Sequence, residues 1–137
     1  DDETLIDSAV EEILRYHTPA LGFMRTAKLD TEIQGTKIAE GEHVYMIYGA
    51  GNRDPEVFSD PEAFDIGRFR RPLPMHLTFG FAEHVCIGSA LARLEMRILL
   101  KELRARFSKI EVVAKPERPQ SLLGNGFVTM ATRFTAH

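Results

Sequence analysis

The stretch FGFAEHVCIG, Phe79 to Gly88, holds Cys86, the only cysteine of the chain, and runs straight into SALARLEMRILLKELRARF. A lone thiol excludes an internal disulfide framework, so any fold must rest on packing and polar contacts alone. The thiol also stands between two glycines, Gly80 and Gly88, at the mouth of a helix. The periodicity predicts that helix from about Ser89 to Phe107. Ala90, Leu91, Leu94, Ile98, Leu103 and Phe107 share helical spacing, which marks it as a core helix.

A second helix is predicted from Leu5 to Tyr16. Ser8 with Glu11 has capping-box spacing, Thr4 with Asp7 offers an earlier start, and Pro19 stops the helix. Between Met24 and Gly49 the pattern turns to short strands. TEIQGTKI reads as a hairpin around Gln34 and Gly35, and AEGEHVYMIYG as a turn and a strand. NRDPEVFSDPEAFDIGRFRRP lacks periodicity and reads as a long ordered loop anchored by Val57, Phe58, Phe64 and Phe69. IEVV and GFVTMATRF read as strands, separated by a Pro-containing stretch and the turn LGNG. The expectation is one α+β unit over 1–137: two main helices, a small mixed or antiparallel sheet and the long loop. The abrupt opening on a helix, without a leader, suits a fragment as well as a complete domain.

At 137 residues, with 44% hydrophobic and 27% charged residues, the chain has the proportions of a soluble domain. A net charge of -3 speaks against nucleic-acid binding and against a basic membrane-surface role. No apolar run is long enough to span a bilayer. A reducing, cytoplasmic setting is the default for such a chain.

Four chemistries compete for Cys86. A buried structural thiol is the commonest fate of a lone cysteine. A nucleophile would profit from the helix N-terminus, but no protease-type signature surrounds it. Zinc could draw on His76, His84 and Cys86, yet a structural zinc site wants four ligands and more than one thiol. The fourth is an axial thiolate to haem iron, which needs a loop open enough for a flat macrocycle. Gly80 and Gly88 would supply the openness, the following helix dipole favours the anion, and His84 could meet a propionate. Glu12 and Arg15, three apart on the first helix, read from spacing alone as a solvated surface pair worth under ~1 kcal/mol.

FGFAEHVCIG resembles the haem-binding loop of the cytochromes P-450, F-G-x-G-x-H-x-C-x-G in the bacterial type. Phe79, Gly80, His84, Cys86 and Gly88 match in register, while Ala82 stands where the family usually has glycine. If that position needs a positive φ, Ala82 is strained. EEILR resembles the family's E-x-x-R helix, at Glu12 and Arg15, and FDIGRF the segment carrying the third member of a buried Glu-Arg-Arg network, Arg68. NRDPEVFSDPEAFD and ALARLE agree with the family in the same order, so the resemblance covers Val10 to Phe134.

The resemblance implies the C-terminal part of the mainly-α cytochrome P-450 fold, with the loop carrying the haem-ligand cysteine. It implies haem as cofactor, Cys86 as axial metal ligand, and His84, Arg25, Phe79, Gly80 and Gly88 as cofactor-binding residues. Arg25 would pair with a propionate and Phe79 would pack beside the thiolate. Ala20 to Met24 would lie over the haem edge, and Leu122 to Asn125 would reach the substrate pocket. The implied function is monooxygenation of a small organic substrate with electrons from a ferredoxin or flavoprotein, whose docking face would centre on Arg70, Arg71, His76 and Arg93. No catalytic side chain is assigned, because the family's oxygen-activating helix has no counterpart here. Little monooxygenase activity is therefore expected of these residues alone, and the missing part or self-association would cover exposed apolar surface. Two alternatives stay open: a haem-binding remnant with a weak peroxidase-like or sensing role, and a haem-free truncated interaction module.

Overall fold

The computed structural model describes residues 3–137, with side chains from Leu5 onward. Helix α1 spans Glu3–His17 and buries Val10 and Leu14, one turn apart on one face. Thr18 closes it, with its amide on the Leu14 carbonyl and its hydroxyl on that of Arg15, and Pro19 prevents continuation. The capping-box reading of Ser8 does not hold, because α1 begins before it. Ser8 is buried, and its hydroxyl accepts the Phe69 amide of the long loop. The alternative start at Thr4 and Asp7 rests on a Thr4 side chain that lies outside the described residues.

The side of α1 opposite Val10 and Leu14 carries charge into the interior. Glu12 and Arg15 are both 0% exposed and pair at 2.7 and 2.8 Å, so they are not a solvated surface pair. A buried carboxylate is costly unless every lone pair is met. Arg68 meets Glu12 through Nε at 3.1 and 3.2 Å, and the Asp65 amide adds a bond of 2.8 Å. Burial on its own would raise the Glu12 carboxyl, but the hydrogen bonds from Arg15, Asp65 and Arg68 prevail and hold it below the usual carboxylate range.

Both guanidiniums then need acceptors for their remaining N–H groups, and the long loop supplies carbonyls. Arg15 donates to the carbonyls of Asn52, Pro61 and Ala63. Arg68 donates to those of Ser59, Asp60 and Ala63. The loop is thus pinned by its backbone more than by its apolar side chains. Of the four expected anchors only Phe58 is fully buried, while Val57 and Phe64 are largely exposed and Phe69 is half-buried.

The strands form three antiparallel pairs and no mixed sheet. Strand β1 (Gly22–Thr26) pairs with β4 (His43–Ile47), and β2 (Thr31–Ile33) with β3 (Thr36–Ile38). Gln34 and Gly35 take φ of 47° and 80°, the left-handed turn that a two-residue hairpin loop requires. A short helix α2, Tyr48–Gly51, follows β4, and single 3-10 turns occupy Arg68–Arg70, Leu77–Phe79 and Ala82–His84. Helix α3 spans Ser89–Arg106 and leads into β5, Phe107–Val112, which pairs with β6, Thr132–Ala136. GFVTMATRF therefore contributes a strand only in its second half, plus one bridge from Thr129 to Glu117.

Helix α3 is not a core helix in this chain. Leu91, Leu94 and Ile98 are exposed, and no α3 residue is fully buried. The reason is that α3 meets α1 through ion pairs. Arg93 clasps Glu11 with two bonds of 2.7 and 2.9 Å, and Arg97 stands 2.7 Å from Asp7. Glu11 also accepts from buried His76 at 3.1 Å. Burial would raise the Glu11 carboxyl, yet the bonds from His76 and Arg93 lower it from 4.5 to about 2.

Two outcomes follow from these anions. Glu12→Gln and Arg68→Ala each leave a buried charge without its partner. Either should cost about 3–5 kcal/mol, a large part of the roughly 5–15 kcal/mol that holds a domain, as read by denaturant unfolding. Both Glu11 and Glu12 titrate lower when folded, so their contribution is present above about pH 4.5; the Glu11 part is lost as pH falls toward about 2, and the Glu12 part is likewise lost on acidification. Melting temperature, followed by circular dichroism, should sag slightly from pH 7 to about 5, because burial lowers the His17 imidazole and protonation then favours the unfolded chain, and should drop more steeply below that. Glu11→Gln should flatten part of the drop.

Candidate functional site

Residues far apart in sequence converge on one open cleft of about 640 Å3, within the usual range for ligand pockets. One wall comes from the end of α1 and from β1: Pro19, Ala20, Phe23 and Arg25. The opposite wall is the cysteine loop, with Thr78, Phe79, Gly80, His84, Cys86 and Ile87, and Tyr48 of α2 stands between them. A second cleft of about 570 Å3 adjoins it and shares Arg25, Tyr48 and His84. Cys86 is exposed, so its thiol is not the buried structural kind.

The cysteine loop is shaped by tight backbone contacts. The Cys86 amide donates to the Phe79 carbonyl at 2.7 Å, folding the loop back on itself. Gly80 sits at φ 82°, and a Cβ there would meet the His84 carbonyl oxygen at 2.6 Å. Only glycine fits that approach. Gly88 is different: its φ is -84°, and a Cβ there would touch Cys86 Sγ at an ordinary 3.7 Å. Its bare Cα leaves that side of the sulfur open, but its own backbone does not demand glycine. The Ser89 amide reaches the Cys86 carbonyl, so α3 begins just beyond the thiol.

Ala82, the position that departs from the glycine of the loop pattern, has φ of 52°. Left-handed geometry costs an L-residue other than glycine roughly 1–2 kcal/mol, so this loop carries backbone strain next to its thiol.

Of the residues expected at the site, Arg25, Phe79, Gly80, His84 and Cys86 line the one cleft, and Gly88 flanks it. A thiolate is a soft metal ligand, and a guanidinium and an imidazole are partners for carboxylates, so the walls suit a ligand carrying both a soft metal and anionic groups. His76 does not join His84 and Cys86 as the zinc reading required. Its ring is buried, with Nδ1 accepting the Thr78 amide and Nε2 facing Glu11. Among the described residues no group of three or more metal-ligating side chains stands together. The docking face is corrected at the same place, because His76 is buried and Arg93 is committed to Glu11 and to the Phe79 ring, 4.6 Å away. The turn Leu122 to Asn125 lies against the Ala20 wall, with the Leu21 amide on the Leu123 carbonyl and Tyr45 Oη on the Leu122 carbonyl.

Two groups of site residues carry no signal in the sequence pattern. The Glu11–Arg93 pair, which props Phe79 from below, could have been sought only as an ion pair between helices already predicted. Asn52 is 0% exposed and bonds to both Thr18 and Thr78, yet in the sequence it reads as a turn residue before Arg-Asp-Pro.

The strain at Ala82 has a measurable sign. Ala→Gly normally destabilises a helix, by about 1 kcal/mol at an exposed site such as Ala105. At Ala82 relief of the left-handed geometry offsets the flexibility of glycine. Ala82→Gly should therefore leave denaturant stability unchanged or raise it by up to about 1 kcal/mol.

Comparison with known proteins agrees with this geometry. The cytochrome P450 family model matches residues 3–136. Cytochrome P450-terp of a Pseudomonas species is 40% identical over 134 residues, 98% of this chain and 31% of its own length. Linalool 8-monooxygenase of Pseudomonas putida is 40% identical over 122 residues, 89% of this chain and 29% of its own. The crystal structure of CYP108D1 from Novosphingobium aromaticivorans superposes with a TM-score of 0.87 at 43% identity, covering 99% of this chain and 32% of that one. The chain thus spans about a third of the length of the relatives it matches. A cleft with a thiol on one wall and an arginine on the other, in a chain that matches the family model almost end to end, makes this chain a member of the cytochrome P450 family.

Proposed function

We propose that this chain, as one unit over 1–137, supplies the thiolate side of a haem monooxygenase acting on a small organic substrate. The observation that carries the reading is the convergence of Cys86 on one wall with Arg25 and His84 around the same cleft. The residues present fit a haem in three respects. The thiol is exposed toward the cleft, Gly80 removes the side chain that would crowd the loop, and a cationic and an imidazole side chain stand within the same cavity.

In this reading Cys86 would hold the haem iron through its sulfur. Arg25 and His84 would pair with the propionates, and guanidinium suits that task because it is always charged and bidentate toward carboxylate. Phe79, held by Arg93 over its ring, would pack on the thiol side of the bound group. Ala20 and Phe23 face the substrate side, and the Leu122 to Asn125 turn limits that side from beyond. The group, when bound, supplies redox-active iron for reducing dioxygen and transferring one oxygen atom. Electrons would come from a ferredoxin or flavoprotein. The exposed walls at Cys86 and Ile87 leave the cleft wet, whereas controlled oxygen transfer calls for a closed, dry pocket. These residues alone are therefore expected to bind more readily than to turn over. The relative named linalool 8-monooxygenase supports oxygen transfer as the reaction class.

The test is the absorption spectrum of the purified chain loaded with haem, reduced and exposed to carbon monoxide. The expected result is a strongly red-shifted Soret band that disappears in Cys86→Ser. A band at the unshifted position would overturn the thiolate and favour the remnant. No band at all would overturn the haem site and favour the haem-free module.

A further inference from the structure

One buried side chain, Asn52, spans the two walls of the cleft. The Asn52 amide nitrogen donates to Thr18 Oγ1 at 2.9 Å and to Thr78 Oγ1 at 3.0 Å. Thr18 starts the turn that delivers Pro19, Ala20 and then β1 with Arg25. Thr78 lies in the turn that delivers Phe79, Gly80 and then Cys86. The Asn52 carbonyl oxygen accepts the Leu77 amide at 2.6 Å, on the thiol side again. The main-chain carbonyl of Asn52 receives Arg15 at 2.8 Å, which ties the junction to the buried lock of Glu12, Arg15 and Arg68.

The direction of these bonds is fixed. Thr18 Oγ1 donates its proton to the Arg15 carbonyl at 2.7 Å, and Thr78 Oγ1 donates to the Leu14 carbonyl at 2.8 Å. Both hydroxyls have therefore spent their single proton on the last turn of α1 and can only accept from Asn52. An amide nitrogen with two protons satisfies both at once, and no isosteric side chain does. The cost of this arrangement is visible at Thr18, a buried β-branched residue held at φ 44°. Such geometry persists only when neighbouring contacts over-determine it. Asn52 is one of those contacts.

We infer that Asn52 is the positioning residue that sets the spacing between the Arg25 wall and the Cys86 wall. The spacing decides whether one flat ligand can meet the thiol and the guanidinium together, and this second half rests on the haem reading above.

The experiment uses the haem-free full chain. Cys86, the only cysteine, takes one spin label, and Lys28→Cys, exposed just beyond β1, takes the other. Pulsed EPR reads the distance across the cleft. A reference pair, Cys86 with Ala105→Cys on α3, stays on the thiol side. Asn52→Asp keeps the shape but presents acceptors to two hydroxyls that have no proton left. It should shift and broaden the cross-cleft distance while leaving the reference pair narrow. Thr78→Val removes one anchor at similar shape and should do the same, so it decides the matter if Asn52→Asp fails to fold. Thr78→Ser restores the hydroxyl and should restore the distance. An unchanged cross-cleft distance in both variants would overturn the inference. Equal broadening of both pairs, or unfolding of both variants, would make Asn52 a stability residue and overturn it too. The carbon monoxide spectrum of Asn52→Asp tests the ligand half separately, and a diminished red-shifted band is expected. If the unsubstituted chain shows no such band, the haem reading falls and the spacing result stands.

Discussion

Everything described above depends on keeping one carboxylate ionised out of water. Glu12 is fully buried, and an anion there survives only because two guanidiniums and a backbone amide reach it. The guanidiniums bring N–H groups that also need partners, and the nearest acceptors are carbonyls of the loop between α2 and Arg68. Satisfying the charge therefore organises a segment with little regular structure. Among the described residues the fully buried polar side chains outnumber the apolar ones, so the interior is a hydrogen-bonded network first and a hydrophobic core second. Such networks are worth more than their pairs taken singly, and they fail as units.

The same network builds the site. Arg15 ends on the Asn52 carbonyl, Asn52 ends on Thr18 and Thr78, and those residues start the two walls of the cleft. A parallel prop runs from Glu11 through Arg93 to the Phe79 ring, below the loop that presents Cys86. Both supports begin on adjacent residues of α1, with Glu12 turned toward the long loop and Glu11 toward His76 and α3. The strained geometry at Thr18 sits where the Asn52 support ends.

The sequence was legible where a local rule had few solutions. A glycine-punctuated loop with one cysteine before a helix led to the cleft, and Gln-Gly between two short apolar runs led to the hairpin. A missing glycine in the loop pattern located the strained residue in advance. Long-range polar contacts were not legible from spacing. Glu12 and Arg15 carry the same i,i+3 signature whether wet or buried, and only the family resemblance linked them to Arg68. Spacing offers His76 as a weak zinc candidate, set aside on ligand count, and as a docking cation, because nothing local reveals that Glu11, 65 positions away, will claim it. The misreading of α3 has a related cause. An apolar stripe states that a helix wants cover, not which face meets the neighbour at hand, and α1 meets α3 on its charged side.

The capture of the long loop by carbonyl oxygens has an evolutionary consequence. Every residue offers the same carbonyl, proline included, as Pro61 shows. The arginines thus read the path of the chain and are blind to most of its side chains. Between Arg53 and Gly67 exchanges at exposed positions such as Glu56 and Glu62 leave these bonds intact so long as the count of residues is kept, whereas buried Phe58 is fixed by its own packing. One inserted residue would slide every carbonyl out of reach, whereas many exchanges would pass unnoticed.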